Sequence, residues 1–275
     1  MPTEKLPTKS KFPKIPTIQK TLVSLRRIYL LAQLKSQKMK IFKYLLATLT
    51  IVLLTTSLQA QKWDKDGNTS KEERTVSSFT KVSLTGGIDL TIAQGNSKTI
   101  SVEASANAID NLITEVKNGQ LKIYFDKNVR RVKKAHVFIT VNNLEKISAN
   151  GGSDIESKGK LKFDELAIHS SGGSDIELDL EVKHLDCHTS GGSDVELAGS
   201  AETLELHATG GSDFDGFNFK TRDAKVSASG GSDSNVYASE SIEVSASGAS
   251  DVNFKGNPKK TKLKSSGSSD IHSYK

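Results

Sequence analysis

The chain has one cysteine, Cys187, in 275 residues. No intramolecular disulfide can form, so any folded domain must rely on its core and its hydrogen bonds. It also lacks a hydrophobic run long enough to span a membrane as a helix: the longest, Tyr44 to Leu58, is 15 residues diluted by threonines, against the roughly 20 that a spanning helix needs. No phosphate-binding glycine loop, zinc-ligand spacing or nucleophile elbow occurs. Asp64-Lys65-Asp66-Gly67-Asn68 opens like a calcium loop, but Thr69 and Thr75 stand where that loop requires Gly and Glu. These absences leave no enzyme class indicated, and the chain reads as a non-enzyme.

The formal charge of +6 is concentrated at the front. Residues 1–38 carry nine Lys/Arg and one acid, and Lys40 and Lys43 add two more, so residues 61–275 hold 27 basic and 31 acidic side chains, a net of −4. A basic arm that grips nucleic acid must persist in the mature protein, and this one is expected to be lost. From Met39 the sequence reads as a secretory leader: Lys40 and Lys43, the apolar run, then Ala60 as the cleavage residue. No cysteine follows it to carry a lipid, and no stable membrane span is expected after cleavage. The resulting organisation is a spurious or targeting extension over 1–38, a signal peptide over 39–60, a polar linker over 61–73 and a β-rich domain over 74–275. In the extension, Leu22 to Leu34 with Arg26 and Arg27 offers a rival targeting helix. The product is expected to be exported, whether periplasmic, cell-surface or secreted.

Within 74–146 the runs VSSFTKVSL, IDLTIAQ, TISVEA, ITEVK, LKIYF and HVFITV read as strands. Asn118-Gly119 marks a hairpin between ITEVK and LKIYF, and Ala104 to Leu112 hints at a helical turn. Arg130-Arg131-Val132-Lys133-Lys134 is a basic loop that reads as solvated.

Residues 147–275 are periodic. A Gly-Gly-Ser-Asp turn recurs at Gly151, Gly172, Gly191, Gly210, Gly230, Gly248 and Gly267, at intervals of 21, 19, 19, 20, 18 and 19. Four residues before each glycine stand Ile147, Ile168, Cys187, Leu206, Val226, Val244 and Leu263; two before stand only Ala, Ser or Thr. Four after stand Ile155, Ile176, Val195, Phe214, Ser234, Val252 and Ile271, with polar residues between. A period of two with one apolar face means strands, and a repeat of this length means a stack in which each unit buries its face against its neighbours. The expected fold is all-β: a parallel β-helix, a single-stranded and right-handed solenoid of about seven corner repeats, preceded by a β-rich part. A meander of antiparallel hairpins is the alternative. Successive coils would then stack about 4.8 Å apart.

Such stacking aligns identical residues. Asp154, Asp175, Asp194, Asp213 and Asp233, continued by Asp251 and Asp270, would form a carboxylate ladder in which neighbours repel by roughly 0.9 kcal/mol even in bulk water. The favoured compensation is that each Asp accepts amide hydrogen bonds from its own turn. The alternative is Ca²⁺ held by the ladder together with Glu156, Glu177, Glu196 and Asp215. A second column, Ser148, His169, His188, His207, Ser227, Ser245 and Lys264, puts three histidines in adjacent coils. It faces outward with no fixed carboxylate to orient the rings, and an exposed polar ladder is expected rather than a metal site.

Val76-Ser77-Ser78-Phe79, Val82 with Gly87-Ile88-Asp89-Leu90-Thr91-Ile92 and Gln94-Gly95, Asn118-Gly119-Gln120-Leu121-Lys122-Ile123 and the Gly-Ser-Asp corners together resemble the DUF2807 or head GIN domain family, over about residues 74–275. The resemblance implies an exported bacterial β-helix linked to adhesion, with no catalytic residues and no cofactor. The chain departs from it by starting 38 residues before Met39, the expected true start, and by softening its last corners to Gly248-Ala249-Ser250-Asp251 and Gly267-Ser268-Ser269-Asp270. The functional expectation is an adhesion or binding module for a surface glycan or protein. Its rivals are an assembly protein that self-associates through an open terminal coil, and a β-helix carbohydrate-active enzyme.

Overall fold

The computed structural model describes residues 69–127, 129, 132 and 134–274. The extension, the leader, Asp64 to Asn68, and Arg130, Arg131 and Lys133 of the basic loop lie outside the described residues. What is described is a parallel β-helix of seventeen strands.

The repeats supply its body: β8 (Lys146–Asn150), β9 (Asp154–Lys158), β10 (Leu161–Gly172), β11 (Asp175–Gly191), β12 (Asp194–Gly210), β13 (Asp213–Gly230), β14 (Asp233–Gly248), β15 (Asp251–Lys255), β16 (Lys260–Gly267) and β17 (Asp270–Ser273). Equivalent residues pair in parallel from coil to coil, as in Ile168↔Cys187, Cys187↔Leu206 and Leu206↔Val226, which rules out the antiparallel meander. The apolar columns fill the interior, Cys187 among them, except in the last coil, where Leu263, expected to face inward, is 45% exposed. Burial pushes the Cys187 thiol far above the ordinary range, which leaves it inert. Where Phe214 brings a large ring into its column, the next coil answers with the buried Ser234. Between its corners the chain runs on as strand, Ala198-Gly199-Ser200-Ala201 included, within β12.

The corners are what the stack is built around. The first glycine of every corner has φ between 73° and 87° from Gly151 to Gly267, a left-handed backbone that a Cβ disfavours. A Cβ on Gly210 would sit 3.0 Å from the amide nitrogen of Gly191 in the neighbouring coil. This close approach lets the ladder continue round the bend: Gly211 N–H donates to Gly191 O at 2.8 Å and Gly231 N–H to Gly210 O at 2.7 Å. From Gly173 on, the second corner position carries no such demand, and the sequence itself places Ala249 and Ser268 there; of these seven corners, only that of Gly151 has a second glycine, Gly152, that is also left-handed, at φ 75°.

The N-terminal part is not a separate structure. It comprises β1 (Thr69–Thr75), β2 (Lys81–Thr85), β3 (Asp89–Gln94), β4 (Thr99–Ser105), β5 (Leu112–Lys117), β6 (Gln120–Phe125) and β7 (Ala135–Val141), with a single 3₁₀ turn at Ile109–Asn111. Asn118 and Gly119, at φ 53° and 72°, make the expected two-residue hairpin between β5 and β6. Gly86-Gly87-Ile88-Asp89 forms an eighth corner, stacked on Gly151 through Gly86 N–H to Asn150 O at 3.0 Å. The coils here are out of chain order. β2 lies between β6 and β8, and β3 between β7 and β9, all in parallel. Antiparallel β5 and β4 then cover the outer edges of β6 and β7. Residues 69–73, expected to belong to a linker, are instead strand: β1 pairs antiparallel with β4 along its whole length, because backbone pairing does not require an apolar pattern.

Replacing Gly210 by Ala combines a left-handed Cβ with a backbone contact and is expected to cost about 2 kcal/mol or more. Gly211→Ala meets only ordinary contacts, the nearest at 3.7 Å, and should stay within about 0.5 kcal/mol of the parent. Urea unfolding midpoints of the two variants check this.

Candidate functional site

Along the strands that lead into the corners, every second residue faces out. The column seven before each glycine runs Glu165, His184, Thr203, Asp223, Ser241 and Lys260; the column five before runs Asp186, Glu205, Lys225, Glu243 and Lys262. The two columns line a groove of about 800 Å³ that crosses six coils. Its charges are largely answered from within. Lys225 Nζ lies 2.7 Å from Glu205 and Lys262 Nζ 2.5 Å from Glu243, while Ser241 donates to Asp223 at 2.5 Å. These partners hold the Glu205, Asp223 and Glu243 carboxyls below their usual range. They are ionised acceptors, unsuited to donating a proton as a general acid.

Next to the groove, His169, His188 and His207 stack with ring centroids 4.8 and 4.6 Å apart and nearly parallel planes. The expectation that no carboxylate would orient them is corrected: His188 Nε2 lies 2.9 Å from Asp186 and His207 Nε2 lies 3.3 Å from Glu205. Residues two apart on a strand share a face, so the signal was available in Asp186-Cys187-His188 and Glu205-Leu206-His207. Parallel stacked rings aim their nitrogens in one file and do not converge on an ion. His169, pressed by burial, Lys146 and His188, titrates below an ordinary histidine.

On the strands that leave the corners, Asp154, Asp175, Asp194, Asp213, Asp233, Asp251 and Asp270 form the expected ladder in full register. Asp89 extends it at the eighth corner, and its charge adds to burial in raising the Asp154 carboxyl. Glu156, Glu177, Glu196 and Asp215 run beside it. Thr91 ties Glu156 to His136 at 2.7 Å on each side, within a hollow of about 310 Å³. Among the described residues no three ligating side chains converge as a metal site would require.

The expected role of these aspartates in closing their own turns falls to the serine one residue earlier. Ser153, Ser174, Ser193, Ser212, Ser232 and Ser250 are fully buried. Ser193 Oγ donates to Ser190 O at 3.0 Å and to Ser170 O at 3.3 Å, and Ser174, Ser212 and Ser250 donate to the carbonyl three residues back in the same way. A buried hydroxyl near a free turn carbonyl satisfies both groups at once, whereas an outward carboxylate, exposed to water, has no such need.

The sequence pattern of the DUF2807 family, described as "Putative auto-transporter adhesin, head GIN domain", matches residues 78–258. The chain belongs to this family. No curated protein matches this head GIN chain. Among solved structures, it is similar to a "putative adhesin" from Bacteroides fragilis at TM-score 0.71 and 24% identity, covering 75% of this chain and 97% of that one. It is also similar to a "putative lipid binding protein" from Parabacteroides distasonis, at TM-score 0.63 and 19% identity over 76% and 98% of the two chains. A "putative adhesin" from Parabacteroides merdae gives TM-score 0.61 and 18% identity with the same coverage. At these identities the likeness establishes the shared head GIN fold.

The two corner residues make opposite predictions. Ser193→Ala removes the buried hydroxyl that donates to Ser190 O and Ser170 O and is expected to cost about 1–3 kcal/mol. Asp194 sits between Asp175 and Asp213, and burial together with these two charges raises its carboxyl. A raised pKa means that the folded chain holds the proton more tightly. The stability linked to it is therefore present in acid and lost as pH rises through that pKa. Asp194→Asn should then stabilise the protein at about pH 7 by no more than about 1 kcal/mol, with the gain over the parent shrinking toward about pH 4. Urea midpoints at the two pH values check both variants.

Proposed function

We propose that this chain is an exported, non-enzymatic adhesion module of the cell envelope that lays an extended glycan or polypeptide partner along its six-coil groove. The groove carries this reading. It is long, regular and rigid, as a solenoid's binding surface is, and its alternating acids, hydroxyls and amines offer hydrogen bonds at every coil. The depressed carboxyls of Glu205, Asp223 and Glu243 support binding over catalysis, since polysaccharide cleavage by paired carboxylates needs one raised acid. The leader read from Met39 to Ala60 and the adhesin descriptions of the family and its structural neighbours support export to the surface.

A second reading, assembly, is supported by β16, exposed along its whole length with Leu263 at 45%. Sedimentation over a wide concentration range separates the two: assembly expects growth with concentration, adhesion a constant mass.

Screening the purified protein on glycan arrays and on extracted surface proteins should return a partner whose binding falls at least tenfold in Thr203→Trp and Ser241→Trp, which fill the groove, with unfolding midpoints unchanged. Binding unaffected by both substitutions would remove the groove from the account.

A further inference from the structure

On the opposite side of each corner, a different column breaks the repeat. Seven residues past the corner glycine the chain reads Lys158, Asp179 and Ala198 in the early coils, and then Phe217, Tyr237, Lys255 and Tyr274. The adjacent column, five past the glycine, changes over the same coils: Glu156, Glu177, Glu196 and Asp215 give way to Asn235, Asn253 and His272. Tyr237 and Tyr274 thus come to the surface where the acidic column beside them is discharged, while Phe217 keeps Asp215 next to it. Asn253 donates to Asn235 at 3.0 Å, so the two amides form a neutral ladder of their own.

The change is built into the backbone. The spacing from Gly210 to Gly230 is 20 residues, and the register between β13 and β14 slips between Asp215 and Lys220. Such a bulge re-aims side chains. Gly216 is required at its start, because a Cβ there would meet the Phe214 ring at 2.6 Å, and Asp215 accepts the Phe217 N–H at 3.1 Å. Phe217 is thereby turned along the solenoid to meet residues two and three coils away. Lys255 Nζ lies 4.0 Å from its ring centroid, and Tyr274 stands edge-on at 6.2 Å. Lys220 Nζ lies 3.9 Å from the Tyr237 ring. Phe217 and Tyr237 are half-buried, and Tyr274 is 48% exposed. Among the described residues, neither Lys220 nor Lys255 has a carboxylate within ion-pair distance, whereas Lys160, Lys162, Lys183, Lys225, Lys259 and Lys262 each do. The two ammonium groups rest on aromatic faces, Lys220 Nζ also donating to the Phe217 carbonyl at 3.3 Å, and among the described residues no carboxylate neutralises either.

We propose that Phe217, Tyr237, Tyr274, Lys220 and Lys255 form a second binding site, independent of the groove, for a carboxylated or sulfated sugar residue. A sugar ring presents an apolar face that packs on an exposed aromatic ring, here Tyr274 at 48% exposure, and Lys220 and Lys255, which flank Tyr237 in register on the coils either side, supply the charge for its anionic group. Asp215, whose carboxylate accepts the Phe217 N–H at 3.1 Å, selects for an isolated anionic group over a backbone charged at every residue, since a phosphate chain laid along this column would pass beside it. That disfavours a nucleic acid, although lysines among aromatics otherwise suit one.

Calorimetric titration of the full chain with oligogalacturonate, a sulfated heparin oligosaccharide and sialyllactose, against maltohexaose and lactose, tests this. Single-stranded oligothymidylate and phosphatidylglycerol vesicles serve as further arms. The expected result is saturable binding of at least one acidic sugar and none of the neutral ones. That binding should weaken at least tenfold in Lys220→Gln/Lys255→Gln and in Phe217→Ala, hold in Thr203→Trp, and fall with salt. Unfolding midpoints of the lysine variant, whose side chains lie on the surface, should match the parent. The proposal is overturned if no acidic sugar binds, if neutral sugars bind equally, if only oligothymidylate or vesicles bind, if the lysine variant binds as the parent does, or if Thr203→Trp abolishes binding and so places the ligand in the groove.

Discussion

The structure depends on one repeated contact: a left-handed glycine lying against the glycine of the coil beneath, with its carbonyl accepting the amide that follows the next one, as Gly210 O does from Gly231 at 2.7 Å. Without a Cβ the two backbones approach closely enough for the hydrogen-bond ladder to pass round the corner unbroken. Everything on either side of the corner is then fixed in register. The strands before and after it pair residue for residue, and the interior fills with columns of Ile, Val, Leu and Ala. One disulfide-free chain thereby obtains a continuous core in which each coil is stable only with its neighbours.

Exact register has an electrostatic consequence, since like residues are stacked on like. The protein answers this differently on its two faces. Before the corners, acids and lysines alternate up the column from Glu205 on, so that Glu205 meets Lys225 and Glu243 meets Lys262. After the corners the aspartates remain uniform, and their carboxyls drift upward in pKa where burial and neighbours press on them. The corner is held instead by the buried serine, which leaves the aspartate column to serve the surface. The face with answered charges is the one that carries the groove.

Much of this was legible in the sequence because the repeat period and the two-residue alternation act together. The seven corners, the inward columns and the Asn118-Gly119 hairpin could all be read directly. The eighth corner was spelled out as Gly86-Gly87-Ile88-Asp89 but was hidden by its Ile88, which fills the serine position with a buried apolar group, and by a chain order that differs from the stacking order. Pattern reading assigns residues to faces and does not say which polar side chain turns inward. Alternation alone therefore does not separate the outward Asp of a corner from the buried Ser that closes it, nor show that Asp186 and Glu205 turn toward His188 and His207. The strand at Thr69–Thr75 was invisible for a related reason: it is held by backbone pairing to β4 and carries no apolar alternation.

The most direct test of in-register corners is disulfide trapping. Cysteines introduced at Asp194 and Asp213, which are register partners in adjacent coils, should lie within the Cα separation of roughly 4.4–6.8 Å that a disulfide tolerates. They should oxidise to near completion without loss of fold, while a pair at Asp194 and Asp233, two coils apart, should stay reduced. Efficient bridging of the distant pair, or none in the adjacent one, would mean that neighbouring corners do not stack and would contradict the account at its base.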